Sequence, residues 1–278
     1  MTLRLAAFDL DGTLLDPYGK LTPSVCEAVR ELRSRVRVVL CTGRRFRTAL
    51  PPARELGLED GAIVVNNGVV VKDLATGQTL QHEYLPAPVF AGVIEHVRTH
   101  GAPLVYIDTY HEGCDIVTEA PDRAHPFQRE YLDDNGEFSR VVGDVAERGE
   151  EGVIMVSTMA DPESLDDLRN RARERFGEQV YTHTILNKNY QGNILEFLSP
   201  RAGKWSALER LTRAWGIEPG DIAAVGDDIN DAELIREAGF GIAMGNAVAA
   251  ARDGADCVVS SNAEGGAVEA VEKILLRL

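Results

Sequence analysis

The chain has 278 residues, 44% hydrophobic and 26% charged, and a formal charge of −15 from 44 acidic against 29 basic side chains. That is enough chain for a sizeable core in one large or two ordinary domains, with the composition of a folded globular protein. So acidic a surface repels nucleic acid and anionic membrane, both held chiefly by Lys and Arg on phosphate, and leaves a small anion only where a local cation overrides the field.

Cys26, Cys41, Cys114 and Cys257 are scattered with no C-x-x-C pair, which argues against a disulfide framework or zinc site and suits a reducing cytosol. The apolar run ahead of Asp9 is too short for a secretory signal. The longest uncharged stretch, 238–251, has 14 residues broken by three glycines, too few to span a bilayer. A cytoplasmic protein is the expectation.

In chain order, "LRLAAFD" (3–9) reads as a buried strand, and Asp11-Gly12 behind it is a turn signal. Thr22 is placed to cap a helix over "PSVCEAVRELRSR", with Pro23 at its first position and Val25, Ala28, Val29 and Leu32 on one face. "VRVVLCT" (36–42) is a second strand. "RRFRTALPPARELG" is a helix disturbed by Pro51-Pro52 and closed by Gly57, and "GAIVVNN" (61–67) is a third strand. This alternation argues for a parallel sheet covered on both faces.

Residues 84–190 break the pattern. They hold two helical segments, "APVFAGVIEHVRTHG" and "DPESLDDLRNRARERFG", two strands, "PLVYID" and "GVIMVSTM", and a loop-rich "REYLDDNGEFSRVV" turning at Asn135-Gly136. From 191 the alternation returns with helix "GKWSALERLTRAWG", strand "DIAAVGD", helix "DAELIREAG", strand "FGIAM", a small helix, strand "DCVVSS" and a terminal helix. The expected architecture is an α/β, Rossmann-like doubly wound parallel-sheet core, 1–83 with 191–278, carrying an inserted α+β domain at 84–190.

Polar groups follow four of the core strands: Asp9-x-Asp11, Thr42-Gly43-Arg44, Asn66-Asn67-Gly68 and Asp227-Asp228-Ile229-Asn230-Asp231. In an open parallel sheet, ligands gather at the carboxyl ends of the strands. Four unrelated loops would not all turn polar at that end. Asn67-Gly68 is equally an ordinary hairpin turn, Thr13 equally a turn residue, and Asp228 a helix N-cap. His96 and His100, at i and i+4, read as a helix surface.

Taken together, "DLDGTLLD", "CTGR", Lys204 ahead of a helix and "GDDIND" stand in the order and spacing of the four motifs of the haloacid dehalogenase superfamily. The final "GFGIAMGNAVAAARDGADCVVSSNAEGGAVEAV" resembles its Cof-type branch, and the inserted domain is similar in position to that branch's large α/β cap (type C2B). The resemblance implies a Mg²⁺-dependent phosphatase acting on a small phosphorylated metabolite, such as a sugar phosphate, beneath a mobile cap. It implies Asp9 as nucleophile and Asp11 as general acid/base, with Asp9, the Asp11 carbonyl and Asp227 on the metal. Thr42, Gly43, Asn230 and Lys204 would hold the phosphoryl group, with Asn67 as a substrate-side contact. Asp231 would orient a water ligand of the metal or pair with Lys204. A phosphomutase on the same core, or a non-catalytic phospho-acceptor, is the alternative.

Cys41 and Arg47 are separated by five residues, the spacing of cysteine-dependent phosphatases. Leu40 stands where those enzymes have a histidine, and the intervening loop is bulky and charged. For substrate selection, Tyr106, Asp108, His111, Asn187, Lys188 and Asn193 are the polar or aromatic candidates of the inserted domain.

Overall fold

The structure, a computed structural model, describes residues 2–108, 113–148, 152–186 and 192–278. In chain order the strands are β1 (Leu5–Phe8), β2 (Arg37–Leu40), β3 (Ala62–Val65), β4 (Val70–Asp73), β5 (Thr79–His82), β6 (Leu104–Ile107), β7 (Ile116–Thr118), β8 (Ser139–Val141), β9 (Val153–Ala160), β10 (Tyr181–Leu186), β11 (Asn193–Leu198), β12 (Ile222–Gly226), β13 (Phe240–Ala243) and β14 (Cys257–Val258). The α-helices are α1 (Pro23–Arg33), α2 (Phe46–Glu55), α3 (Ala87–Val97), α4 (Pro126–Asp134), α5 (Pro162–Phe176), α6 (Lys204–Ala214), α7 (Ala232–Glu237), α8 (Ala249–Asp253) and α9 (Gly266–Leu275). None of the described helices is long and apolar enough to cross a membrane.

The chain divides into two compact units. The first takes the residues up to His82 and those from Ala202 on. Its sheet runs β14-β13-β12-β1-β2, every pair parallel. All four residues of β1 are fully buried, because a central parallel strand is covered on both faces and must be apolar throughout. Leu5 and Ala7 pack with Trp205, Leu208 and Leu211 of α6 and with Leu234 of α7, and α1 packs against α9. Beyond β2, a parallel bridge from Cys41 to Val64 and the Thr42 N–H bond to the Val64 carbonyl (2.9 Å) bring in β3, which continues into an antiparallel meander through β4 and β5. The chain thus runs outward from β1 to β3 on one side and from β12 to β14 on the other. The reversal falls between β1 and β12, where an open α/β sheet leaves its crevice.

Local signals explain the helices. Thr22 Oγ1 accepts the Val25 N–H at 3.3 Å, with Pro23 in the first position of α1, as the sequence implies. Pro51 and Pro52 lie inside α2 without ending it. Pro52 has no N–H for the carbonyl of Thr48, and that oxygen instead accepts Nη1 of Arg44 at 3.3 Å.

The second unit spans Glu83–Arg201. Its sheet runs β10-β11-β9-β6-β7-β8 and is antiparallel except for the β7–β8 pair. Phe90, Ile94 and Val97 of α3 and Leu168 and Phe176 of α5 close over Val105, Val156, Leu195 and Phe197 of that sheet.

Three expectations for this region need correction. The return to the core was set at 191, but β11 pairs with β9 and β10, burying Leu195 and Phe197, so the first unit resumes only at Ala202. The segment from Arg129 to Asp134 is not loop but the body of α4, opened by Pro126 at its first position and capped by the His125 ring on the Phe127 N–H. His96 is not on a helix surface. It is buried, donates from Nε2 to the Leu168 carbonyl at 2.9 Å, and meets Phe176 and Phe197 edge to face.

Candidate active site

Asp9 is the first residue past β1. Its N–H still bonds the Val225 carbonyl across to β12 at 3.0 Å, so its carboxyl is delivered to the strand-end crevice while remaining buried. The chain then turns within Leu10–Leu14, closed by the Leu15 N–H on the Leu10 carbonyl at 2.9 Å. Gly12 makes the turn at φ +83°, and a Cβ there would lie 2.1 Å from Oδ2 of Asp227. Only glycine permits that backbone and that approach. The turn also carries Thr13 inward, where Oγ1 donates to Asp227 Oδ1 at 2.8 Å. Thr13 is therefore a partner of a site carboxylate, not of turn backbone.

Lys204 opens α6 and reaches back across the core. Its Nζ donates at 2.7 Å to Oδ1 of Asp9 and at 2.7 Å to Oδ1 of Asp231, with the lysine side chain 1% exposed. The hairpin at Gly68 fits against the start of this helix, since a Cβ there would fall 2.0 Å from the Gly203 carbonyl oxygen. Asp231 Oδ2 accepts the N–H groups of Asp227 and Asp228, each at 3.1 Å. Asp228 in turn takes the Ile229 N–H at 2.7 Å, which makes it the cap that its position implied.

One oxygen from each of Asp9, Asp227 and Asp231 lies within 4.8 Å of the others. Burial raises the Asp9 carboxyl well above the usual range; Lys204 opposes that, while Asp231 and Asp227 add to it. Asp227 is pushed up to about 7 by burial and by repulsion from Asp231 and Asp228, against the Thr13 hydrogen bond and the Lys204 charge. Burial works against the charge of Lys204 too, but Asp231 and Asp9 outweigh it and hold the ammonium above its ordinary range.

Three carboxyl groups share one ammonium, so ionising all three would leave excess negative charge in the cluster. An all-oxygen donor set of this kind fits a hard divalent cation such as Mg²⁺. Asp231 gives one oxygen to Lys204 and the other to two backbone N–H groups, while Asp9 gives one oxygen to Lys204 and Asp227 accepts from Thr13 and Asn246.

On the opposite side of Asp9 stands the loop after β2. Thr42 is fully buried; its Oγ1 accepts the Arg44 N–H at 3.1 Å and its carbonyl the Asn67 N–H at 3.1 Å. Gly43 lets Asn67 close in, since a Cβ would come 2.9 Å from Asn67 Oδ1. Asn66 and Asn67 both adopt left-handed backbone, φ +50° and +55°, at the joint between β3 and β4. Asn230 Nδ2 donates to Asn67 Oδ1 at 2.8 Å. Asn67-Gly68 is thus the hairpin joint between β3 and β4, with the Asn67 side chain tied to Asn230. Among the described residues, Asn230 Oδ1 and Asn66 Nδ2 are buried without a hydrogen-bond partner.

Asp11 lies outside the buried cluster, with its carboxylate held by Arg44 from Nε to Oδ2 and from Nη2 to Oδ1, both at 2.7 Å. Cys41 is fully buried between β2 and β3, and burial pushes its thiol up, which removes it as a thiolate nucleophile.

The sequence reading missed Asn246. Its Nδ2 donates to the Gly12 carbonyl at 2.9 Å and to Asp227 Oδ2 at 3.1 Å, and its Oδ1 takes the Asn262 N–H at 2.9 Å. It stands three residues past β13, at the same strand end as the other polar residues, and that position was the available signal. In the second unit, Tyr106 donates to the Tyr131 hydroxyl at 3.0 Å, Asp108 accepts Tyr84 at 2.5 Å, and Asn193 begins β11. His111, Asn187 and Lys188 lie outside the described residues.

Comparison with known proteins bears on the whole of this arrangement. Residues 6–271 match the model of a family described as haloacid dehalogenase-like hydrolase. An HMP-PP phosphatase of Serratia proteamaculans is 32% identical over 88% of this chain and 85% of its own length. A 5-amino-6-(5-phospho-D-ribitylamino)uracil phosphatase of Escherichia coli is 25% identical over 99% of this chain and 97% of its own. A haloacid dehalogenase-like hydrolase structure from Bacteroides thetaiotaomicron superimposes with a TM-score of 0.83 at 26% identity, covering 98% of this chain and 100% of the other.

Proposed function

The chain belongs to the haloacid dehalogenase-like hydrolase family, and from that premise we propose that it is a Mg²⁺-dependent phosphatase of a small phosphorylated metabolite, such as a sugar phosphate. The observation that carries the reading is the buried Asp9–Lys204–Asp231 chain, 2.7 Å at each link, with Asp227 beside it at the fold's reversal point. Such a group has no role in stability that apolar residues could not serve as well. It suits a carboxylate nucleophile held in place by a fixed cation.

Asp9 would attack phosphorus, so that an Asp9–phosphorus bond forms as the bond to the leaving oxygen breaks, and Asp11 gives its proton to that oxygen. Water then attacks, its proton passing to Asp11 as the Asp9–phosphorus bond breaks and inorganic phosphate leaves. Thr42, the Gly43 N–H, Asn230 and Lys204 are assigned to the phosphoryl oxygens. The partnerless Nδ2 of Asn66 is a donor that favours an acceptor ligand on that side. Asp9, the Asp11 carbonyl and Asp227 are assigned to the ion, which when bound offsets repulsion between carboxylate and phosphate. The relatives named as phosphatases of phosphorylated small molecules support the substrate class.

The test is phosphate release from p-nitrophenyl phosphate and a panel of phosphorylated metabolites, with Mg²⁺, with chelator and in Asp9→Asn. The reading expects turnover only with the metal and with Asp9 intact. Activity that survives either change in folded protein would overturn it.

A further inference from the structure

We propose that Arg44 is the positioning residue for Asp11, fixing the carboxyl group that exchanges a proton with the leaving group and with water. The inference rests on the phosphatase reading and extends it.

The Asp11 side chain is 56% exposed on the turn beyond β1, where neither strand nor helix restricts its rotamer. What does restrict it is the two-pronged contact from Arg44, a planar fork matched to both carboxylate oxygens. Arg44 is itself pinned at three points. Its N–H bonds Thr42 Oγ1, its carbonyl takes the Asn66 N–H at 2.9 Å, and its Nη1 fills the Thr48 carbonyl left open by Pro52. The same loop that presents Thr42 and Gly43 therefore also aims Asp11.

An ion pair this exposed adds little to stability, so the investment of three anchors is explained by orientation. The fork occupies one lone pair on each carboxylate oxygen, and each oxygen keeps another. A proton can be carried on the outer side while the fork stays closed. Lysine, a single-point donor on a flexible stem, cannot reproduce this.

The experiment compares kcat/KM for an alkyl phosphate and for p-nitrophenyl phosphate in wild type, Arg44→Ala and Arg44→Lys, with Arg44→Gln in reserve should the alanine variant fail to fold. Nitrophenolate departs without a proton, whereas an alkoxide does not. Loss of proton-transfer alignment should cost about 10²-fold or more on the alkyl ester and less than about tenfold on the aryl ester. Added guanidinium ion should restore part of the alkyl activity in Arg44→Ala, and lysine should not substitute for arginine. Equal losses on the two esters, or none, would overturn the assignment while leaving the phosphatase reading standing. A wild type that cleaves neither ester overturns the phosphatase reading, and the role of Arg44 falls with it.

Discussion

Lys204 and Asp231 form a buried pair, Nζ to Oδ1 at 2.7 Å, and the second oxygen of Asp231 is used up by the N–H groups of Asp227 and Asp228. Asp231 thus joins α6 to the end of β12 and sets the position of the ammonium that faces Asp9. Asp231→Asn keeps the shape but replaces an acceptor oxygen with a donor, so either Lys204 or a backbone N–H loses its partner. Removing one member of a buried pair costs roughly 3–5 kcal/mol. Urea unfolding should show a loss of that order at constant m-value, and a change below about 1 kcal/mol would show that the pair is dispensable.

Asp227 illustrates the opposite balance. Its folded-state value of about 7 lies above an unfolded value of ~3.9. The folded metal-free protein therefore binds the extra proton more tightly, and this group's contribution to stability falls as pH rises from 4 through 7. Above that range the ionised carboxylate is a net burden on the fold. Asp227→Asn should accordingly raise the melting temperature of chelator-treated protein at pH 8. The same variant should lose the rise in melting temperature that Mg²⁺ gives wild type through ligand linkage. A variant that is less stable without metal, or that still responds to Mg²⁺ like wild type, contradicts this account.

The first unit was legible in the sequence wherever a residue's environment follows from its neighbours along the chain. The apolar run into Asp9 has to be a doubly covered strand, and polar residues at four strand ends have to share a crevice. Thr22 and Pro23 mark their helix start locally. The errors arise where the partner is remote. Thr13 and Asp227 are 214 residues apart, and nothing near Thr13 distinguishes a turn hydroxyl from one aimed at a carboxylate. β11 escapes the sequence reading altogether, and the sheet it joins is set by its register with β9 and β10. His96 sits on a helix whose second face is covered only because α5 packs there. Asn246 could have been found by applying the strand-end argument to β13 as well.

Cys41 gives a prediction of no effect. The thiol is enclosed between β2 and β3, and its environment disfavours the thiolate. Cys41→Ala removes one sulfur from the core and should cost about 1 kcal/mol of stability, with kcat/KM on p-nitrophenyl phosphate within a factor of a few of wild type. Native protein should not be alkylated by iodoacetamide at this position. Abolished turnover in a folded Cys41→Ala, or rapid modification, would return the cysteine to the chemistry.

The second unit carries its own acid sensitivity. Arg98 grips Glu119 from Nε and Nη2 at 2.6 Å each and reaches Asp144 at 2.5 Å, while Glu119 also takes the Val145 N–H at 2.9 Å. The Arg98 hydrogen bonds, with help from the Val145 N–H, hold the Glu119 carboxyl below the usual carboxylate range despite its burial. A depressed folded value means that the stabilisation is fully present above the unfolded value of ~4.3 and disappears as pH falls through the folded one. Amide exchange or thermal melting should therefore show this unit weakening below about pH 4.5. Glu119→Gln, which cannot titrate, should lose roughly 2 kcal/mol at neutral pH, the scale of charge-assisted hydrogen bonds, and should show a shallower acid limb. If the variant follows the same acid limb as wild type, the sensitivity belongs to other carboxylates.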